Sequence, residues 1–146
     1  MVSEQSRLFR LAYLLTGDRF QAEDVVADVF ARSWQALDQG RIAHPSAYLR
    51  RAVCNAVRHH RRRLAVQRRA LLGLSVNTRQ VTDDGSDRDL LLRALIRLPP
   101  RQRAVVVLRF WEDRSEQEVA VVLGVSLGTV KAQASRGLAR LRKELS

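Results

Sequence analysis

Residues 115–142 read SEQEVAVVLGVSLGTVKAQASRGLARLR, and the pattern of this stretch decides how the rest of the chain is understood. Ser115, with Glu118 three positions on, forms a capping box, so a helix starts here. Val119, Ala120, Val122 and Leu123 give that helix an apolar face. Gly124 follows, the residue type that ends a helix in the left-handed region without a Cβ penalty. Val125 fills the corner, and Ser126 caps a second helix. There Val130, Ala134, Leu138 and Leu141 recur at helical steps, while Thr129, Lys131, Gln133, Arg136 and Arg140 remain for the polar side. Two short amphipathic helices joined through a glycine corner, the second with a basic front, predict a helix-turn-helix. Its second helix would enter the major groove, early side chains toward base edges and later arginines toward phosphates. The same pattern occurs in helical proteins that bind nothing charged, so the remainder of the chain has to decide.

The chain has 146 residues, enough for one ordinary domain or two small helical ones. Its formal net charge is +11, and the cations are mostly arginine. That balance points to a polyanion, and guanidinium suits bidentate contact to phosphate or guanine. The single cysteine, Cys54, forms no internal disulfide and reads as a small packing residue; a reducing, cytoplasmic setting is expected. Of His44, His59 and His60, the adjacent pair points to different sides of a helix, so no metal and no cofactor is expected. No apolar run has the length of a membrane span, so no membrane partner is expected. The first apolar run, Leu8 to Leu15, is interrupted by Arg10 and makes no signal peptide.

From the start, residues from about Val2 to Leu15 read as a helix with Leu8, Leu11, Ala12 and Leu15 on one side. Thr16-Gly17-Asp18 breaks it, and Asp18 caps a helix from about Arg19 to Leu37. Ala22, Val25, Val26, Val29, Phe30, Trp34 and Leu37 are its expected buried positions. Asp24, Asp28 and Gln35 form an exposed stripe, an acidic face in a basic chain and a candidate docking surface for a basic protein. His44-Pro45 restarts a helix whose apolar stripe is Leu49, Ala52, Val53, Ala56, Val57 and Leu64. Arg51, Asn55, Arg58 and Arg62 share another face, and no acid occurs between Arg50 and Arg69. Such a block repels itself unless phosphate neutralises it.

From Gly73 to Asp87 the periodicity fails, and Asp83, Asp84 and Asp87 form a small acidic cluster, so a linker is expected. A helix from Asp89 to Leu98 follows, ended by Pro99-Pro100, with Pro100 opening the next. In that helix Val105, Val106, Leu108 and either Phe110 or Trp111 provide core. The expected fold is all-α, with two small helical domains joined by a flexible linker and the second ending in the helix-turn-helix. The boundaries are 1–70, linker 71–87 and 88–146.

Two stretches together resemble one family. Residues 8–37, containing LAYLLTGDRFQAEDVVADVFARSW, resemble the second domain of bacterial RNA polymerase sigma factors of the sigma-70 superfamily; LPPRQRAVVVLRFWEDRSEQEVAVVLGVSLGTVKAQASRGLARLR looks like their fourth. The short connection suits the extracytoplasmic-function (group IV) type, and GTVKAQASRGLARLR looks like its SigE-like actinobacterial subgroup. The resemblance implies a factor that lends promoter recognition to RNA polymerase core and aids melting. It implies core docking through Asp24, Val25, Asp28 and Phe30 on the clamp helices of the largest subunit, with the flap as a second contact. It implies minus-ten contacts from Arg51, Asn55, Arg58, Arg61 and Arg62, in the helix that also carries Tyr48, and minus-thirty-five contacts from Thr129, Lys131, Gln133, Arg136 and Arg140. An anti-sigma factor is a further partner open to such a protein, and the linker aspartates would mimic nucleic-acid charge.

The chain departs from the family pattern in places. It begins late, so its first helix is expected to be short. Ala132 and Gln133 stand where Ser and Arg are common, and glutamine reads adenine more naturally than guanine. His59 and His60 stand where tyrosine or leucine is frequent. The alternative is a stand-alone helix-turn-helix transcriptional regulator, which accounts for residues 115–142 but leaves the acidic face and the arginine helix idle. A basic membrane-surface protein is a more distant rival. An enzyme, such as a nuclease, is disfavoured: there is no paired histidine, no carboxylate cluster near the arginines and no glycine-rich phosphate loop.

Overall fold

A computed structural model describes residues 3–71 and 87–146. Among these residues the chain is all helical: α1 (Glu4–Thr16), α2 (Arg19–Asp38), α3 (Pro45–Ala70), α4 (Asp87–Ile96), α5 (Pro100–Val106), α6 (Glu116–Leu123) and α7 (Leu127–Leu145), with one π-helical turn, Val107–Trp111, continuing α5. The expected linker lies almost wholly outside the described residues, Asp83 and Asp84 with it; Asp87 sits in the first turn of α4.

The helix ends follow local chemistry. The Ser3 hydroxyl accepts the Ser6 amide at 3.2 Å, and Gly17, at φ 70°, closes α1 with its amide on the Tyr13 carbonyl. One Asp18 carboxylate oxygen accepts the amides of Phe20 at 2.8 Å and Gln21 at 3.1 Å, answering two of the donors every helix start leaves free. Pro45 stands in the first turn of α3, where its missing N–H costs nothing.

Leu8, Leu11, Ala12 and Leu15 of α1 are buried against Ala22, Val25, Val26 and Val29 of α2 and Leu49, Val53 and Val57 of α3. Leu95, Leu98, Val105 to Leu108, Val119, Val122, Val130 and Leu141 continue the same cluster, so one apolar core runs through both halves. Each fully buried Leu or Val contributes about 1.5–3 kcal/mol relative to exposure.

Two expectations about packing are corrected, and a third, left open between two residues, is decided. Trp34, expected in the core, is 65% exposed, and Ser33 takes the inward place. At 100° per residue, Trp34 leaves α2 roughly 125° from the centre of the buried stripe. Phe30 is half-buried for the same reason. At the end of α5, Trp111 packs on the core while Phe110 is exposed beneath the Arg109 guanidinium. The π turn does this: the Glu112 amide reaches back five residues to the Val107 carbonyl at 3.0 Å, which widens the turn and rotates Trp111 inward.

The halves are joined by polar contacts as well. Arg50 of α3 is buried, its Nε 3.2 Å from Glu112 Oε1 and its Nη1 donating to Ser46 at 2.7 Å. Arg103 of α5 donates to the carbonyls of Leu15 at 2.6 Å, Ile96 at 2.5 Å and Leu98 at 3.1 Å. Gly17 lies so close to Ile96 that a Cβ there would overlap its side chain.

Candidate nucleic-acid interface

On α2, Asp24 and Asp28 are exposed, and Asp28 pairs with Arg32 at 3.2 Å in water, a contact worth little by itself. Val25 is buried and fixes the backbone from which Asp24 projects; Phe30 is half-buried beside it. Phe20, at 79% exposure, and Trp34 are the large apolar side chains this helix leaves in solvent. Helical geometry places Phe20 about 40° from Asp24, and Trp34 at the other edge of the exposed side, about 120° from Asp28.

Across a groove from that face runs α3. Asp24, Asp28 and Arg32 line one bank; Tyr48, Asn55, His59, His60 and Arg63 line the other. Arg51, Asn55, Arg58 and Arg62 are exposed on a single face of α3, opposite Leu49, Val53 and Val57. Arg58 Nη2 donates to Asn55 Oδ1 at 3.1 Å, which orients the amide. Arg61 does not join that face. It is half-buried and donates to the Leu15 carbonyl at 3.2 Å.

The helix-turn-helix forms as its sequence demands. The Ser115 hydroxyl accepts the Glu118 amide at 3.1 Å and the Glu118 carboxylate accepts the Ser115 amide at 3.1 Å. Those two bonds, with help from Arg114, hold the Glu118 carboxyl below its ordinary value. Gly124 turns the corner at φ 66°, and the Ser126 hydroxyl accepts the Thr129 amide at 3.1 Å. On α7, Lys131, Arg136 and Arg140 are exposed, while Thr129 and Gln133 are half-buried. These five do not form one line. Lys131 leaves the helix roughly 160° from Thr129, at opposite edges of the exposed face. Ser135 and Arg142 share the Lys131 edge of α7, one and three turns further on, and are exposed; counting 100° per residue finds them. Arg140 lines a cleft with Arg97 and Glu144 where α7 meets the first half.

The α3 face meets α5 and the corner of the helix-turn-helix. A cleft of about 240 Å³ has Asn55, Arg58 and Arg61 on one wall and Arg101, Ala104, Leu123 and Val125 on the other. Cys54 lies at its base, its thiol pushed up to about 12 by burial and by the Glu112 carboxylate, against the opposing pull of Arg58 and Arg50. Among the described residues no helix is long and apolar enough to cross a membrane.

Comparison with known proteins places these surfaces in context. Residues 1–66 match the family model for Sigma-70 region 2, and residues 88–141 match that for Sigma-70, region 4. The chain is 38% identical to the RNA polymerase sigma-E factor of Streptomyces coelicolor, over 98% of this chain and 82% of that one. It is 34% identical to the ECF RNA polymerase sigma factor SigL of Mycobacterium tuberculosis, over 94% and 82%. Among solved structures, the sigma factor RpoE from Bartonella quintana, determined with the anti-sigma factor NepR, superposes with a TM-score of 0.84 over 97% of this chain and 91% of that one, at 24% identity, and so shares its fold.

Proposed function

The chain belongs to the sigma-70 family of RNA polymerase sigma factors, in the extracytoplasmic-function type and its SigE-like subgroup, and from that membership we propose how its surfaces divide the work. As a sigma factor it confers promoter recognition on a polymerase core. Its relatives are initiation factors, and its task is recognition and strand opening. Residues 1–70 serve core docking and the minus-ten element, 88–146 the minus-thirty-five element, and 71–87 connect them.

In this reading Asp24 and Asp28, with Val25 and Phe30 shaping the helix beneath, dock on basic clamp helices of the largest subunit. Opposite charge steers the encounter and rejects acidic partners. The second half rests on the flap. Asn55 presents an amide to an unstacked minus-ten base, while Arg51, Arg58 and Arg62 take up phosphates; an arginine face without acids suits a single strand held open. Arg61 supports this helix through Leu15 and reaches the strand only after rearranging. The first turns of α7 bring Thr129, Lys131 and Gln133 to the minus-thirty-five major groove, Gln133 suited to adenine, with Arg136 and Arg140 toward the backbone.

One observation carries the proposal: an acidic face and an acid-free arginine face stand on adjacent helices, separated by a single groove. A lone helix-turn-helix regulator has no use for either. Run-off transcription tests the reading. The chain with core polymerase should initiate at specific promoters, and Asp24→Arg with Asp28→Arg should abolish co-purification with core. The doubly substituted chain should keep its helical circular dichroism. Retained core binding would sink the assignment of that face.

A further inference from the structure

A second cleft, of about 570 Å³, lies between the far end of α3, the turn from α4 into α5, and the last turns of α7. That volume falls within the range of small-molecule sites, about 300–1,000 Å³. Five guanidinium groups line it: Arg61 and Arg68 of α3, Arg97 of the turn, Arg103 of α5 and Arg140 of α7. Two carboxylates share the lining, Asp18 and Glu144, which leaves an excess of three positive charges. Both carboxylates are already engaged. Asp18 accepts the amides of Phe20 and Gln21, and Glu144 accepts from Arg97 at 3.1 Å.

The inner cations are held in place. Arg103 is 4% exposed and is oriented by three backbone carbonyls. Arg61 Nη2 and Arg103 Nη1 donate to one and the same carbonyl, that of Leu15, at 3.2 and 2.6 Å, so the two nitrogens lie within about 6 Å of each other. Like charges held this close favour an anion beside them. Val57, Leu64, Ile96, Leu98 and Pro99 give the cleft an apolar wall, and walls of low dielectric concentrate the field of the charges they enclose. The planar guanidinium fork matches a phosphate group with two parallel hydrogen bonds. This is not the face read as meeting the minus-ten strand. On α3, Arg61 and Arg68 stand about 20° apart and about 100° round the helix from the centre of the face of Arg51, Asn55, Arg58 and Arg62.

From this cradle we infer that the cleft is a binding site for a small oligophosphate of three or more negative charges, inorganic or carried on a nucleoside. Its phosphates lie between Arg61 and Arg103 on the inside and Arg68 and Arg140 at the mouth. A base, where one is attached, lies along Leu64 and Pro99. The promoter assignment gives Arg61 and Arg140 to DNA phosphates, so ligand and promoter draw on the same two side chains.

Isothermal titration of the full chain, without DNA or polymerase, tests the site, so its failure leaves the promoter assignment untouched. Inorganic tripolyphosphate should bind one to one at about 0.15 M salt. Arg68→Ala with Arg140→Ala, both exposed in the natural chain, should weaken that binding by about tenfold or more at unchanged helical dichroism. Arg41→Ala with Arg88→Ala removes the same charge from exposed positions outside the cleft, and should change the affinity by less than about twofold. Equal losses in the two double variants would reduce the binding to the general attraction of a basic chain and overturn the site. So would no binding, or several ligands per chain. If the first variant loses its helices, Arg68→Lys with Arg140→Lys decides: it keeps the charge and removes the fork, so weaker binding supports the site and unchanged binding overturns it. ATP in the same titration identifies the source. Binding about tenfold tighter than tripolyphosphate assigns the apolar wall to a base and the site to a nucleotide, and equal or weaker binding assigns it to the inorganic chain; either result supports the site.

Discussion

Cys54 is buried, and burial with the nearby Glu112 carboxylate pushes its thiol up to about 12 from the ordinary 9.0. Because the folded form holds its proton more tightly than the unfolded form, the thiol favours the fold below pH 9. That contribution is lost as pH rises from 9 through 12, at about 1.4 kcal/mol per pH unit. Urea titrations at pH 8 and pH 10.5 should therefore show a larger drop for the natural chain than for Cys54→Ala, and equal drops would contradict the burial. Cys54 was legible from sequence as a packing residue, and so were the caps Asp18, Ser115 and Ser126, because each bonds within four positions of itself. Arg50 and Arg103 were not. Their partners lie 62 and 88 positions away, and in an arginine-rich chain nothing local marks which cations turn inward. The candidate minus-ten face shows the same division. Arg51, Asn55, Arg58 and Arg62 follow from helical spacing alone, but only the packed structure reveals that Arg61 is engaged with Leu15.

Between elements, α5 and α7 cross closely. Gly137 is buried there, and a Cβ at that position would stand 2.6 Å from Val106 Cγ2 and 3.4 Å from the Gln102 carbonyl. Gly137→Ala gains up to about 1 kcal/mol of helix propensity but overpacks a β-branched neighbour, which typically costs about 1–3 kcal/mol. The balance should be a lowered melting temperature, measured by thermal dichroism, with weakened promoter binding as α7 tilts; an unchanged or raised melting temperature would show that Val106 can yield. Helix positions and the glycine corner were readable because their signals repeat every three or four residues. The π turn was not, because one added residue per turn leaves no repeat to detect. That is why Phe110 and Trp111 could not be told apart; Trp34, on the regular helix α2, could have been placed outside the buried stripe by counting 100° per residue.

As a whole, the molecule carries a net charge of +11 with its arginines concentrated on α3, so its grip on DNA is dominated by counterion release. Replacing Arg58 and Arg62 together by alanine should lower the magnitude of the log–log salt slope of holoenzyme binding to a pre-melted promoter by about 1.4, or 0.7 for each single-strand phosphate contact. An unchanged slope would place those side chains off the strand. The pattern of helices was readable from sequence; the contact between halves was not. Leu15, Val57, Ala104 and Val125 look the same in a sequence whether the apolar surface they meet belongs to their own half or the other.

One guanidinium makes that contact matter beyond promoter reading. Arg103 finishes α1 through Leu15 and the end of α4 through Ile96 and Leu98, from a helix that belongs to neither. A fragment cut between the halves would therefore lose one of the two guanidinium donors on the Leu15 carbonyl and keep the other, Arg61. The border that family resemblance draws across this polypeptide is crossed by one continuous apolar core, by the Arg50–Glu112 pair and by Arg103.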